Sequence, residues 1–106
     1  MNSNKLVKQE KDSFLVYCDF SHVLAAEETI TAYECSVEDS AGVDATVEIL
    51  EPGSEIIGSG DDKAFLYVRV RNGKARFSPY TVTMQAQTSL GHRHKVAGKL
   101  VVKGDE

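Results

Sequence analysis

From Ser13 onward the apolar and polar side chains of this chain alternate with a period of two, the repeat of a β-strand. Phe14, Val16, Cys18 and Phe20 alternate with Leu15, Tyr17, Asp19 and Ser21. Both sets are partly apolar, so this first strand is either covered on both sides or changes sheet. A second strand is predicted over residues 29–38, with Tyr33, Cys35 and Val37 inward and Glu34, Ser36 and Glu38 outward. Ile30 stands on the opposite parity, which predicts a bulge near Thr31-Ala32. Ala45, Val47 and Ile49 read as a third strand, and Glu55-Ile56-Ile57 as a short edge strand. Ala64, Leu66, Val68 and Val70 give a fifth. Tyr80, Val82, Met84 and Ala86 give a sixth, and the alternation from His94 to Val102 a seventh.

Turn chemistry separates these runs. Asp39-Ser40-Ala41-Gly42 and Glu51-Pro52-Gly53-Ser54 are breakers. Gly58-Ser59-Gly60-Asp61-Asp62 reads as the longest flexible loop. Asn72-Gly73 is the pair favoured where both turn residues need positive φ. Ser89-Leu90-Gly91 closes a hairpin, and Val23-Leu24-Ala25-Ala26 reads as a loop or single turn with Leu24 as a core plug. Six or seven short strands at this spacing argue for an all-β fold, an immunoglobulin-like or fibronectin-III-like antiparallel β-sandwich. A small barrel is the alternative. Tyr80 follows the bend at Ser78-Pro79 and is either a tyrosine corner or an ordinary core residue.

The 106 residues make one domain. Residues 1–12 are polar and aperiodic and read as a flexible arm, residues 13–103 as the sandwich, and 104–106 as a tail. No run of residues is apolar enough to predict a membrane span, and the polar start gives no secretory h-region, so a cytoplasmic product is expected. The two cysteines, Cys18 and Cys35, are too few for a disulfide framework and are expected to be reduced and buried. A bridge between them would require the strands that carry them to lie together.

The net charge of −4 is unevenly distributed. Residues 1–62 hold 3 Lys against 14 Asp or Glu, while residues 63–106 hold 9 Lys or Arg against 2 acids, giving sums of −11 and +7. Three arrangements would follow. Acidic and basic strands could pair within one sheet. The molecule could have opposed acidic and basic sides, which favours head-to-tail self-association. A basic patch could bind nucleic acid, for which only Phe65, Tyr67, Phe77 and Tyr80 offer stacking surfaces; no nucleic-acid partner is expected.

Two sequence blocks carry a resemblance. The first is Tyr17-x-Asp19-Phe20-Ser21-x-x-Leu24 followed by Glu28-Thr29-Ile30. The second is Tyr80-Thr-Val82-Thr-Met84 leading to Thr88-Ser89-x-Gly91. In this order they resemble the small immunoglobulin-like structural proteins of phages and prophages, the phage fibre or fibre-tail adaptor family, over roughly residues 14–102. The chain departs from that pattern at Cys18, where an aliphatic residue is usual, at Glu27, where a glycine is frequent, and over residues 43–62. The resemblance implies a non-enzymatic virion module of a tail, fibre or head-tail adaptor. Its partners would be other virion proteins or itself, and it would pass from host cytoplasm into the particle. A free-standing immunoglobulin-like module binding a protein or carbohydrate through loops 39–43, 51–62 and 88–92 is the alternative. Physically, Asp19 and Ser21 can cap the turn that follows them, Phe20 and Leu24 can fill the end of a sandwich, and Thr29 can hydrogen-bond at the start of the second strand.

Candidate chemistry is sparse. His92 and His94 stand two apart and can point the same way from a strand, but zinc sites take three or four protein ligands and the sequence does not place a third. Glu27-Glu28 and Asp61-Asp62 fall in loops and are expected to stay hydrated. No nucleophile elbow or phosphate-binding glycine loop is present. The sequence therefore predicts no catalytic, cofactor-binding or metal-binding residues, no cofactor and no enzyme.

Overall fold

The computed structural model describes residues 5–58 and 63–104. The alternating runs form seven strands: β1 (Lys5–Gln9), β2 (Phe14–Asp19), β3 (Ile30–Glu38), β4 (Ile56–Ile57), β5 (Phe65–Val70), β6 (Tyr80–Thr88) and β7 (Arg93–Lys103). They build a four-stranded sheet in the order β1-β7-β6-β3 and a three-stranded sheet in the order β2-β5-β4. Within the sheets β4–β5 and β6–β7 are antiparallel hairpin partners, and the other connections cross from one sheet to the other. This is an immunoglobulin-like β-sandwich. Leu66, Val68 and Val70 of β5 face Tyr80, Val82, Met84 and Ala86 of β6 across the core, with Leu100 and Val102 of β7 completing it.

The corner before β6 locks the crossover between the sheets. Asn72 and Gly73 both adopt positive φ, at 53° and 94°. A side chain on Gly73 would meet Ile49 Cδ1 and Val102 Cγ2, each at 3.1 Å. Tyr80 is 1% exposed, and its hydroxyl accepts the Lys74 backbone N–H at 2.9 Å. That bond makes Tyr80 a tyrosine corner, the first of the two readings its position allowed. The predicted bulge is also present, as a register shift between Ile30 and Ala32.

Three expectations are corrected. Lys5–Gln9 lies inside the segment read as a flexible arm, yet it forms β1, parallel to β7. Its alternation is hidden in the sequence because Lys8, a charged residue, occupies an inward position opposite Val102. It is buried there while its ammonium donates to the carbonyls of Gln9 and Glu10. Residues 46–49, read as a third strand, form one helical turn, α1 (Thr46–Ile49). Asp44 accepts hydrogen bonds from Thr46 N at 3.0 Å and Thr46 Oγ1 at 2.6 Å, and that local bonding competes with extension. Ile49 is buried and Val47 points to solvent. Tyr33, expected inside, is exposed because β3 is a sheet edge; its hydroxyl donates to the Glu55 carbonyl at 3.5 Å. The loop expected at 58–62 falls mostly outside the described residues, as do the first four residues of the arm and the last two of the tail.

Cys18 and Cys35 are free thiols on strands of opposite sheets. Burial pushes the Cys35 thiol up to about 12, with the charges of Glu55, Cys18 and Glu34 adding to the effect. Burial and the neighbouring Asp19 push Cys18 up to about 11.

Candidate functional site

The two sequence blocks, about 60 residues apart, meet at one end of the sandwich. The chain leaves β2 through an Asx turn, in which Asp19 Oδ1 accepts the Ser21 N–H at 2.8 Å. Phe20 is buried, with its N–H bonded to Ala64 O at 2.9 Å, and Leu24 packs against the core. The next turn closes on itself: Glu28 N–H donates to Ala25 O, and Glu28 Oε1 accepts the Ala25 N–H at 2.9 Å. The β6–β7 hairpin then docks beside it. Ser89 N–H donates to Thr29 O at 2.9 Å, and Thr29 N–H donates to Ser89 Oγ at 3.1 Å.

Glu28 is the hub of this junction. The sequence placed it in a hydrated loop; it is 1% exposed instead. Its Oε2 accepts the Thr88 hydroxyl and lies 3.0 Å from His92 Nδ1. The Thr88 hydroxyl, the Ala25 N–H and His92 together hold the Glu28 carboxyl below the ordinary glutamate range, against the opposing effect of desolvation. Thr88 is itself buried, and its Oγ1 accepts the His92 N–H at 3.2 Å.

His94 completes the group. It lies opposite Ala86 on the core-facing side of β7, whereas Arg93 and Lys95 point to the other face. The rings of His92 and His94 meet edge to face with centroids 6.2 Å apart. His94 Nε2 is buried and has no hydrogen-bond partner. One donor atom from each of Glu28, His92 and His94 lies within 4.8 Å of the other two. The histidine pair was visible in sequence; the third donor was not. The signal that could have found it is that Glu28 and Thr88 each begin the closing segment of one of the two blocks, Glu28-Thr29-Ile30 and Thr88-Ser89-x-Gly91.

The charge asymmetry also acquires a geometry. The outward residues of β3 include Glu34 and Glu38, those of β6 are Thr81, Thr83, Gln85 and Gln87, and those of β7 include Arg93, Lys95 and Lys99. Cross-strand rows therefore run Lys95–Gln85–Glu34 and Lys99–Thr81–Glu38. Acidic and basic strands of this sheet are not neighbours; a neutral strand separates them, and Lys99 Nζ donates to Thr81 Oγ1 at 2.9 Å. On the other sheet's outer face, Tyr17 stacks on Phe65 with centroids 5.1 Å apart and lies beside Tyr67.

No family model matches the chain, and none of the curated proteins does. Among solved structures the fold is similar to CopC from Methylosinus trichosporium OB3b, with a TM-score of 0.61 and 16% identity over 96% of this chain and 86% of that one. The ZIG-8 IG1 homodimer overlaps 97% of this chain and 81% of its own at 14% identity, with a TM-score of 0.45. The likeness to CopC supports the all-β sandwich and extends no further than the fold.

Proposed function

We propose that this chain is a non-enzymatic docking module that builds into a phage or prophage particle, as a tail, fibre or head-tail adaptor component. Its contacts run through the outer face of the four-stranded sheet, and the partner there is a second copy of the chain arranged head to tail. The observation that carries the docking mechanism is the ordered charge on that face, acidic on β3, neutral on β6 and basic on β7. Two strand spacings separate the charged rows by about 10 Å. Opposite charges at that distance in water attract by only about 0.4 kcal/mol, and physiological salt screens most of it. Brought to about 4 Å by a second copy, each pair gains about 1 kcal/mol. The charges are thus weakly used within one molecule and complementary between two. An acidic edge meeting a basic strand is a heterologous contact, of the kind that closes rings or extends filaments.

The particle role rests on the resemblance of the two blocks, which meet in one hydrogen-bonded junction. Mass spectrometry of particles released by the strain that encodes the chain tests it. Peptides of the chain in a fixed ratio to tail or capsid proteins are expected. Purified particles without it, or a gene set among metabolic genes, would refute the particle role.

A further inference from the structure

We propose that Glu28, His92 and His94 form a binding site for a divalent first-row transition ion of the imidazole-preferring kind, represented by Zn(II). The site lies at the end of the sandwich, away from the charged sheet face, and does not depend on the docking reading.

Two separate segments supply the donors: the turn before β3 gives Glu28, and the β6–β7 hairpin gives both histidines. Folding therefore assembles the set, and a donor set spread over distant segments is what makes metal affinity a property of the folded state. The carboxylate is oriented before any ion arrives. Ala25 N–H holds Oε1 and the Thr88 hydroxyl holds Oε2, the role that outer partners play for a ligating carboxylate. The histidines contribute differently. His92 is 59% exposed, so its ring can turn. His94 Nε2 is sealed from solvent with no protein partner. Buried polar atoms are seldom left so, and an imidazole without protein hydrogen bonds at this nitrogen keeps a lone pair to donate to an ion.

The spacing fits a modest closure. Bonds of about 2.0–2.1 Å in a tetrahedral site put neighbouring ligand atoms about 3.3 Å apart. Glu28 Oε2 and His92 Nδ1 stand at 3.0 Å, and all three donors fall within 4.8 Å. Rotation of the exposed His92 ring supplies the adjustment. Two imidazole nitrogens and one carboxylate oxygen suit zinc, nickel, copper or cobalt ions, whereas Mg(II) and Ca(II) call for oxygen donors. Arg93 and Lys95 project from the opposite face of β7, so their charges do not enter the site. Three protein ligands leave a coordination position for water or for a group from another molecule.

The test is calorimetric titration of the full-length chain, treated with a chelator and dialysed, with Zn(II) alone and with Mg(II) alone. The wild type should bind one Zn(II) per chain and show no saturable Mg(II) binding. His92→Ala changes an exposed side chain and should weaken Zn(II) binding at least tenfold; His92→Ala combined with His94→Gln should remove it. In case the double variant does not fold, histidine ring signals in NMR give a second readout. Zn(II) should shift those of His92 and His94 and leave those of His22 in place. Absence of one-to-one Zn(II) binding by the wild type would overturn the assignment. So would unchanged affinity in His92→Ala, or shifts confined to His22.

Discussion

Replacing Tyr80 by Phe removes one oxygen atom and leaves the ring in the core. The ring is buried against Gly73, whose added Cβ would lie 3.6 Å from Tyr80 Cε1, so the apolar packing is retained. What is lost is the acceptor for the Lys74 N–H at 2.9 Å. The reverse contact, from the hydroxyl to Lys74 O at 3.5 Å, is too long to count for much. A net hydrogen bond contributes about 1 kcal/mol, and an amide left unsatisfied in a partly buried corner costs about 1–3 kcal/mol. Lys74 is exposed, so water reaches its amide in part. The expected destabilisation is therefore about 1–2 kcal/mol. For a domain of this size each kcal/mol lowers Tm by about 4–8 °C, and the urea midpoint should fall with an unchanged slope. Equilibrium urea unfolding of both proteins, followed by far-UV circular dichroism, measures it. A change below about 0.3 kcal/mol would refute the idea that this hydroxyl locks the crossover from β5 to β6.

Gly73→Ala places a Cβ at positive φ between Ile49 and Val102 and should destabilise by about 1–3 kcal/mol; thermal unfolding reads it out. Glu28 has a folded-state pKa depressed below its unfolded value, so its ionised form stabilises the fold above the ordinary glutamate range near pH ~4.3. That contribution is lost as pH falls through the folded value. The stability gap between wild type and Glu28→Gln, measured by urea unfolding, should accordingly narrow between neutral pH and pH ~3, and a gap independent of pH would contradict the hydrogen-bond account. Cys18 and Cys35, with thiols pushed up to about 11 and about 12, should react slowly with a disulfide reagent at pH ~8 in the folded state and rapidly in urea; equal rates would show that the thiols are not shielded.

Much of this architecture was legible because strands announce themselves by alternation. Leu66, Val68 and Val70 are inward in β5 as the pattern required, and β6 keeps the inward set Tyr80, Val82, Met84 and Ala86. Local rules failed where a side chain outweighed the pattern. Lys8 sits inward with its ammonium on backbone carbonyls, which hides β1 in a polar stretch. Asp44 bonds Thr46 and turns an alternating segment into α1. The site was half legible. His92 and His94 share a region of the hairpin by spacing alone, but the burial of Glu28 depends on a bond to Thr88, 60 positions away, which periodicity does not carry. The charge split was plain in sequence; that β6 would insulate one sign from the other follows only from strand order.

Self-association through opposed charge is tested most directly by molar mass from light scattering behind size exclusion, at low salt and at ~0.5 M salt. The account predicts a multiple of the 11.6 kDa chain at low salt that falls towards 11.6 kDa as salt screens the contact. An 11.6 kDa species at both salts would contradict head-to-tail docking through the β3 and β7 charges.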